Sequence, residues 1–418
     1  MTEKMTIFHD RCEERLIRYA KIDTQSANGV TCVPTTAKQF DLAKVLRDEL
    51  IEIGVSDVWM DEEKCVVYGK IPSNLPEGKG MAFGYVAHMD TAPDASGTDV
   101  KPWVFRNYDG SDITLNKELG IVMKVEEFPN LKKYIGQDLV LTDGTTLLGG
   151  DDKASIAAIM TMAEYVCAHP EIRHGLISLA FTPDEEVGGL ARDLDFNRFE
   201  SKVAYTLDGD YCGDYQDETF NASAAHITFK GFSVHTGTAK NIMKNSVDMG
   251  VEFCNMLPAF EKPQYTEGRE GFFHITGFNG SCEHTKVSLI VRDHDSIQFE
   301  HRNTYLQKCV DAINAKYGEG TAEMNLWIQY RNLKDVIAQY PWMIDDLVQA
   351  IKECGVEPHT APFRGGTDGS ALSHRGLPCP NLSAGYENAH GRFEYVPVQS
   401  MEKNVEIMLK LNDIFASK

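Results

Sequence analysis

At 418 residues, 42 % of them hydrophobic, the chain is long enough for two domains and apolar enough to give each a core. Acidic residues outnumber basic ones 62 to 41, a formal net charge of −21 with no Lys/Arg block against it, which excludes nucleic acid and anionic membranes as natural partners. The ten cysteines are scattered without a C-x-x-C pair, so a zinc ribbon or disulfide framework is not expected; reduced thiols in a cytoplasm are.

Residues 1–10 carry no apolar segment of a secretory signal, and no run approaches the roughly 20 apolar residues of a membrane span. Residues 11–21 and 36–53 read as amphipathic helices, and residues 65–70 as a strand. Residues 81–87 form a continuous apolar run, as expected of a strand covered by helices on both faces, and it ends in His88-Met89-Asp90. Residues 92–136 are polar and dotted with aromatics, which suggests a long excursion near a site. A short apolar strand at 139–141 then leads to Gly149-Gly150-Asp151-Asp152-Lys153 and a helix over 156–166. One aspartate serves a helix start; two adjacent ones after a glycine pair exceed that need.

Residues 176–181 predict another buried strand, ending in Thr182-Pro183-Asp184-Glu185-Glu186-Val187-Gly188-Gly189. Residues 202–207 predict a third, ending in Asp208-Gly209-Asp210. Strands alternating with helices imply an α/β fold with a mostly parallel central sheet flanked by helices, and such sheets place ligands at the carboxyl ends of their strands. From about residue 219 the pattern becomes strand, helix, two strands, helix, strand, the order of a ferredoxin-like α+β unit.

Four strand or helix ends thus present His88 with Asp90, Asp151, Glu185-Glu186 and Asp208. Buried together, such carboxylates repel one another and lose hydration unless something neutralises them. Lys153 is the one basic residue in these segments, so a divalent metal pair is the economical neutraliser. Imidazole and carboxylate ligands without thiolate suit zinc, with cobalt or manganese able to bind the same set.

These motifs, together with His390, resemble the co-catalytic zinc peptidases of the carboxypeptidase G/peptidase T group, and within it the tripeptide aminopeptidases. Thr142-Asp143-Gly144-Thr145-Thr146, Val234-His235-Thr236-Gly237-Thr238, Arg364-Gly365-Gly366-Thr367-Asp368-Gly369 and Gly376-Leu377-Pro378 carry the likeness across nearly the whole chain in one order. The resemblance implies two zinc ions per subunit. Asp151 would bridge them, with a cis peptide to Asp152; His88 and Asp208 would complete one metal, Glu186 and His390 the other. Asp90 would accept the second ring N–H of His88. Glu185 would be the general base, taking a proton from the attacking water and returning it to the leaving amine.

The same resemblance puts His235 near the transition-state oxyanion, after domain closure or from a partner subunit. It gives Arg364 and Arg292 to the substrate's backbone carboxylate and Asn245 to a substrate carbonyl, although Arg292 could equally pair with Asp293 or Asp295. The organisation it implies is a catalytic domain over residues 1–218 and 332–418, interrupted at 219–331 by an inserted lid through which a homodimer could form. The expected activity is removal of the N-terminal residue from short peptides, tripeptides foremost. A related di-zinc dipeptidase or N-acyl-amino-acid amidohydrolase is the nearest rival, and a non-catalytic peptide-binding protein on the same fold a distant one.

Overall fold

The computed structural model describes residues 3–418. In chain order, the strands of its two main sheets are β1 (Ser56–Met60), β2 (Val67–Ile71), β3 (Phe83–His88), β4 (Ile177–Thr182), β5 (Ala204–Gly209), β6 (Tyr215–Gln216), β7 (Asn221–Lys230), β8 (Phe272–Gly280), β9 (His284–Asp293), β10 (Ala322–Tyr330) and β11 (Asn381–Ser383). The longer helices are α1 (Glu3–Ala20), α2 (Gln39–Glu52), α3 (Gly150–Ala168), α4 (Ser246–Met256), α5 (Ser296–Tyr317), α6 (Pro341–Glu353) and α7 (Val398–Ala416). Two units form. The first runs to Asp217 and resumes over Asp335–Thr360 and Thr367–Lys418; the second is Glu218–Lys334 with Ala361–Gly366.

The first unit is a seven-stranded mixed sheet in the order β1-β2-β4-β3-β5-β11-β6. Its middle four strands, β4, β3, β5 and β11, run parallel; the pairs toward both edges are antiparallel. The apolar run of β3 has the reason given by its pattern. Phe83, Tyr85 and Ala87 point into a core shared with α1, α3 and α7, while Val86 points into a second core with Ala180, Ala204 and Leu372. Both faces are covered, so no polar alternation is required. Because the central strands are parallel, His88, Thr182 and Asp208 emerge at one edge of the sheet.

Residues 92–136 are more ordered than their polar composition suggests. Short strands Ile113–Asn116 and Ile121–Met123 pair, and Trp103–Phe105 joins a small sheet with Leu139–Leu141. Tyr108, Ile113, Met123, Leu131 and Tyr395 close over them as a separate small core, which uses the aromatics that periodicity alone left unassigned.

The second unit is an antiparallel sheet in the order β8-β9-β7-β10. Ala225, Ile227 and Phe229 of β7 and Val287, Leu289 and Val291 of β9 alternate inward against Met249 and Phe253 of α4 and Phe299, Leu306 and Ile313 of α5. One buried face and one polar face produce the alternation seen in the sequence. Asn245 and Asp295 start these helices, their side chains accepting the N–H groups of Val247 and Gln298 at 3.1 and 2.8 Å.

Candidate metal and peptide site

The site of the first unit is assembled where β3, β4 and β5 end and α3 begins. His88 closes β3, Asp151 and Asp152 open α3, Glu185 and Glu186 follow β4, and Asp208 lies near the end of β5. Asp151 is the hub. Its Oδ1 lies 3.0 Å from His88 Nε2, and its Oδ2 lies 3.1 Å from His390 Nε2. The same His88 nitrogen is 3.7 Å from Asp208 Oδ1, and the same His390 nitrogen is 2.9 Å from Glu186 Oε2. One carboxylate thus turns each oxygen toward a different histidine-and-acid pair. The Asp151–Asp152 peptide bond is cis.

Asp90, fully buried, ties the halves together from beneath. Its Oδ1 and Oδ2 accept the backbone N–H groups of Glu185 and Glu186 at 2.9 and 3.2 Å. His88 Nδ1 makes its shorter contact, 3.1 Å, to the Asp90 backbone carbonyl, with the carboxylate at 3.4 Å. Asp184 anchors the same loop by accepting from Thr35 and Gln39.

Electrostatics set this cluster apart. Among the described residues, no lysine or arginine forms an ion pair with Asp151, Glu185, Glu186 or Asp208; Lys153 donates instead to the Ile22 carbonyl at 2.8 Å. Burial pushes Glu185 and Asp208 above the usual carboxylate range and Glu186 up to about 8. Burial also acts on Asp151, but hydrogen bonds from His390 and His88 outweigh it and hold that carboxyl low. Hydrogen bonds to Asp151 and Glu186 lift His390 to about 11. His88 rises too, its burial outweighed by Asp151 and Asp208. Glu186 Oε1 and Asp152 Oδ1 are buried without a hydrogen-bond partner. Nitrogen and oxygen donors with orphaned lone pairs and no lysine or arginine paired to them among the described residues fit divalent metal. Two overlapping sets, His88/Asp151/Glu186 and His88/Asp152/Asp208, each bring one donor atom per residue within 4.8 Å of the others.

The structure therefore gathers His88, Asp90, Asp151, Glu185, Glu186, Asp208 and His390 in one unit. His235, Asn245, Arg292 and Arg364 belong to the other. His235 is exposed and accepts from the Gly237 N–H at 3.2 Å. Arg292 donates to the carbonyls of Ser223 and Val291, while Arg302 takes Asp293 and Asp295 caps a helix, so neither acid is its partner. Arg364 donates from Nη1 to the carbonyls of Gly268 and Glu270 and from Nη2 to Thr266 Oγ1.

Three buried acids beside the site escape a sequence reading based on strand ends. Asp152 offers a donor atom to the set of His88 and Asp208. Asp368 accepts from Thr182 Oγ1 at 2.5 Å and has its other oxygen unpartnered. Glu394 accepts from backbone amides of the Asp151 loop. The signal for Asp368 was its place in the Gly-Gly-Thr-Asp-Gly motif; Glu394 had only its position four residues after His390.

A sheet edge that crowds histidines and carboxylates without lysine or arginine partners, on a chain that also forms an antiparallel α+β unit, has the donor set of a divalent-metal site, and the comparisons give the class of protein. Residues 218–321 match the family model described as the peptidase dimerisation domain. The fold aligns with the aminopeptidase PepT of Bacillus cereus at TM-score 0.76 and 20 % identity, covering 98 % of this chain and 99 % of that one. It aligns with the Bacillus subtilis YXEP protein, a dinuclear metal-binding peptidase of the M20 family, at TM-score 0.65 and 12 % identity, covering 98 % of each. In sequence, the chain is 47 % identical to peptidase T of Clostridium novyi, over 96 % of this chain and 98 % of that one. It is 45 % identical to peptidase T of Caldanaerobacter subterraneus, over 97 % and 98 %. The chain belongs to the peptidase T family, and it is a hydrolase of peptide bonds.

Proposed function

We propose that the chain is a dinuclear aminopeptidase that removes the N-terminal residue of short peptides, tripeptides foremost, with zinc as its metal. The observation that carries this reading is the two-sided disposition of Asp151 between His88 and His390. His88 and Asp208 would hold one ion, Glu186 and His390 the other, with Asp151 shared; cobalt or manganese would suit the same donors. When bound, such a pair supplies Lewis-acid polarisation of the scissile carbonyl and acidifies water.

The remaining chemistry is the protein's own. Glu185 has its backbone fixed by Asp90 and forms no ion pair among the described residues. Its carboxylate takes the proton of the attacking water and delivers it to the nitrogen of the leaving amine. Glu186, anchored through the same Asp90, is kept for metal, so adjacent residues divide two roles. Asp90 holds His88 in the tautomer that presents Nε2.

From the second unit, Arg364 contributes to binding of the peptide carboxylate. Its present bonds leave the Nε–H and one Nη2 hydrogen, a pair shaped for bidentate contact. Arg292, Asn245 and His235 are assigned the remaining backbone, carbonyl and oxyanion contacts. The dimerisation-domain match supports a homodimer through this unit. All ten cysteines are free and no helix among the described residues is long and apolar enough to cross a membrane, which suits the cytoplasm we assign.

A tripeptide assay before and after chelation, with zinc, cobalt and manganese restored separately, tests the reading. Activity should vanish with the metal and return with two ions per chain, and N-acylated tripeptides should be refused. Turnover that survives complete metal removal overturns it.

A further inference from the structure

Glu394 sits in the same loop as His390, is 2 % exposed, and forms no ion pair with lysine or arginine among the described residues. Its Oε2 accepts the N–H groups of Leu148 and Gly149, each at 2.8 Å, and its Oε1 accepts the N–H of Asp151 at 2.9 Å. One carboxylate therefore uses both arms to hold three amides in a four-residue stretch. The glycine pair makes the approach possible. Gly149 has φ +76°, and a Cβ on Gly150 would stand 2.5 Å from Val396 Cγ2 and 3.1 Å from Glu394 Oε1. The loop that carries Glu394 is itself closed by reciprocal Glu387–Tyr395 backbone bonds at 2.9 and 3.1 Å.

A buried carboxylate is a costly way to satisfy loop amides. It has one property that no neutral side chain shares: acceptors on both oxygens and no donor on either. We propose that Glu394 is a positioning residue that fixes the rotation of Asp151 and registers it against His390, the ligand carried by Glu394's own loop. This rests on the reading of Asp151 and His390 as metal ligands. Asp151 and His390 lie 239 positions apart in sequence; the Val396–Val140 strand pairing brings their segments together, and the Glu394 carboxylate ties the amides of the Asp151 loop itself to the loop of His390.

The test is Glu394→Gln, whose amide must turn an NH2 toward at least one N–H. In the folded variant, the zinc Kd measured against a competing chelator should rise by at least ~tenfold. The visible bands of the cobalt-substituted protein should shift, and kcat should fall with KM little changed. A zinc Kd within about twofold of the unmutated protein and an unchanged cobalt spectrum overturn the proposal. Should the variant not fold, hydrogen exchange on the unmutated, metal-free chain decides. Slow exchange at Leu148, Gly149 and Asp151 supports the clamp, and exchange at the rate of an open loop overturns it. An unmutated protein that binds no zinc sinks the functional reading instead, while the exchange measurement still judges Glu394.

Discussion

Glu218 of the second unit and Asp208 of the first are carboxylates buried to similar depth, 5 % and 7 % exposed, yet their surroundings are opposite. Glu218 receives Arg269 at 2.7 Å and Lys334 at 3.0 Å, and these bonds outweigh its burial and hold it below the usual carboxylate range. Nearby, Asp293 has Arg302 at 2.7 Å. Asp208 faces His88 and is pushed up by burial. Where a buried acid is structural, its charge is met, by arginine or lysine at Glu218 and Asp293 or by several N–H and O–H donors at Asp184 and Glu394. Where several are left unpaired at one sheet edge, the missing positive charge belongs to something that binds there.

The comparison breaks most visibly at the hub. Asp151→Ala should abolish both metal binding and turnover, because both halves of the site lean on that carboxylate. Glu185→Ala should keep its metal and lose turnover by a factor on the order of 10²–10⁴. Metal analysis beside a tripeptide assay separates the two. Full activity of Glu185→Ala with metal in place would remove Glu185 from its role.

A sharper test asks for a change of sign. In metal-free protein, Asp208→Asn removes a buried charge whose nearest cation is His88, 3.7 Å away and shared with Asp151, and should raise stability by about 1 kcal/mol or more. With zinc present, the same variant should be the less stable one, its metal affinity down by more than ~100-fold. Thermal unfolding with and without chelator measures both. Destabilisation in both states would place Asp208 among the structural acids.

The two clusters should also respond oppositely to pH. Glu186 is lifted from an ordinary value near 4.5 to about 8, and His390 from 6.5 to about 11, so the metal-free native state holds more protons than the unfolded chain. Stability of the metal-free protein should therefore fall as pH rises from about 5 to 8, with Asp208 and Glu185 adding to the fall, whereas Asp151, held below its ordinary value of 3.8, is charged in both states over this range and leaves the slope unchanged. Zinc should cancel this slope. Glu218 has the other sign: its contribution is present above pH 4.5 and is lost as pH falls through its lowered value. A metal-free unfolding midpoint that is flat or rising between pH 5 and 8 would refute the assignment of unpaired charge.

Much of this was legible in the chain before any fold was known. The apolar run at 81–87 and the His88-Met89-Asp90 at its end identify a covered strand and its cargo, since hydrophobic continuity and strand-end chemistry are both local. The change to alternation after residue 219 marks the second sheet for the same reason. Glu394 was not legible, because its meaning lies in partners 243–246 residues away and a lone acid in a loop reads as solvated surface; Asp368 stood in a readable motif, but its bond to Thr182, 186 residues away, did not show. Residues 92–136 hid their small core because its apolar residues come from short strands and turns with no common period. Arg364 and Arg292 are singled out by the resemblance alone, and nothing in the local sequence marks the backbone carbonyls that each guanidinium also holds.

The smallest effect belongs to the paired cluster. Glu218→Gln keeps the shape of the side chain and removes its charge, leaving Arg269 and Lys334 without their shared acid. Those partners have 62 % and 44 % of their side-chain surface exposed, so water can take over much of their solvation. The cost should be about 1 kcal/mol rather than the larger penalty of a sealed pair. It should be the same with and without zinc, because no donor of the metal site is altered. A loss that depended on zinc would mean that Glu218 and the metal-site acids belong to one charge network, and the division between paired and unpaired clusters would fail.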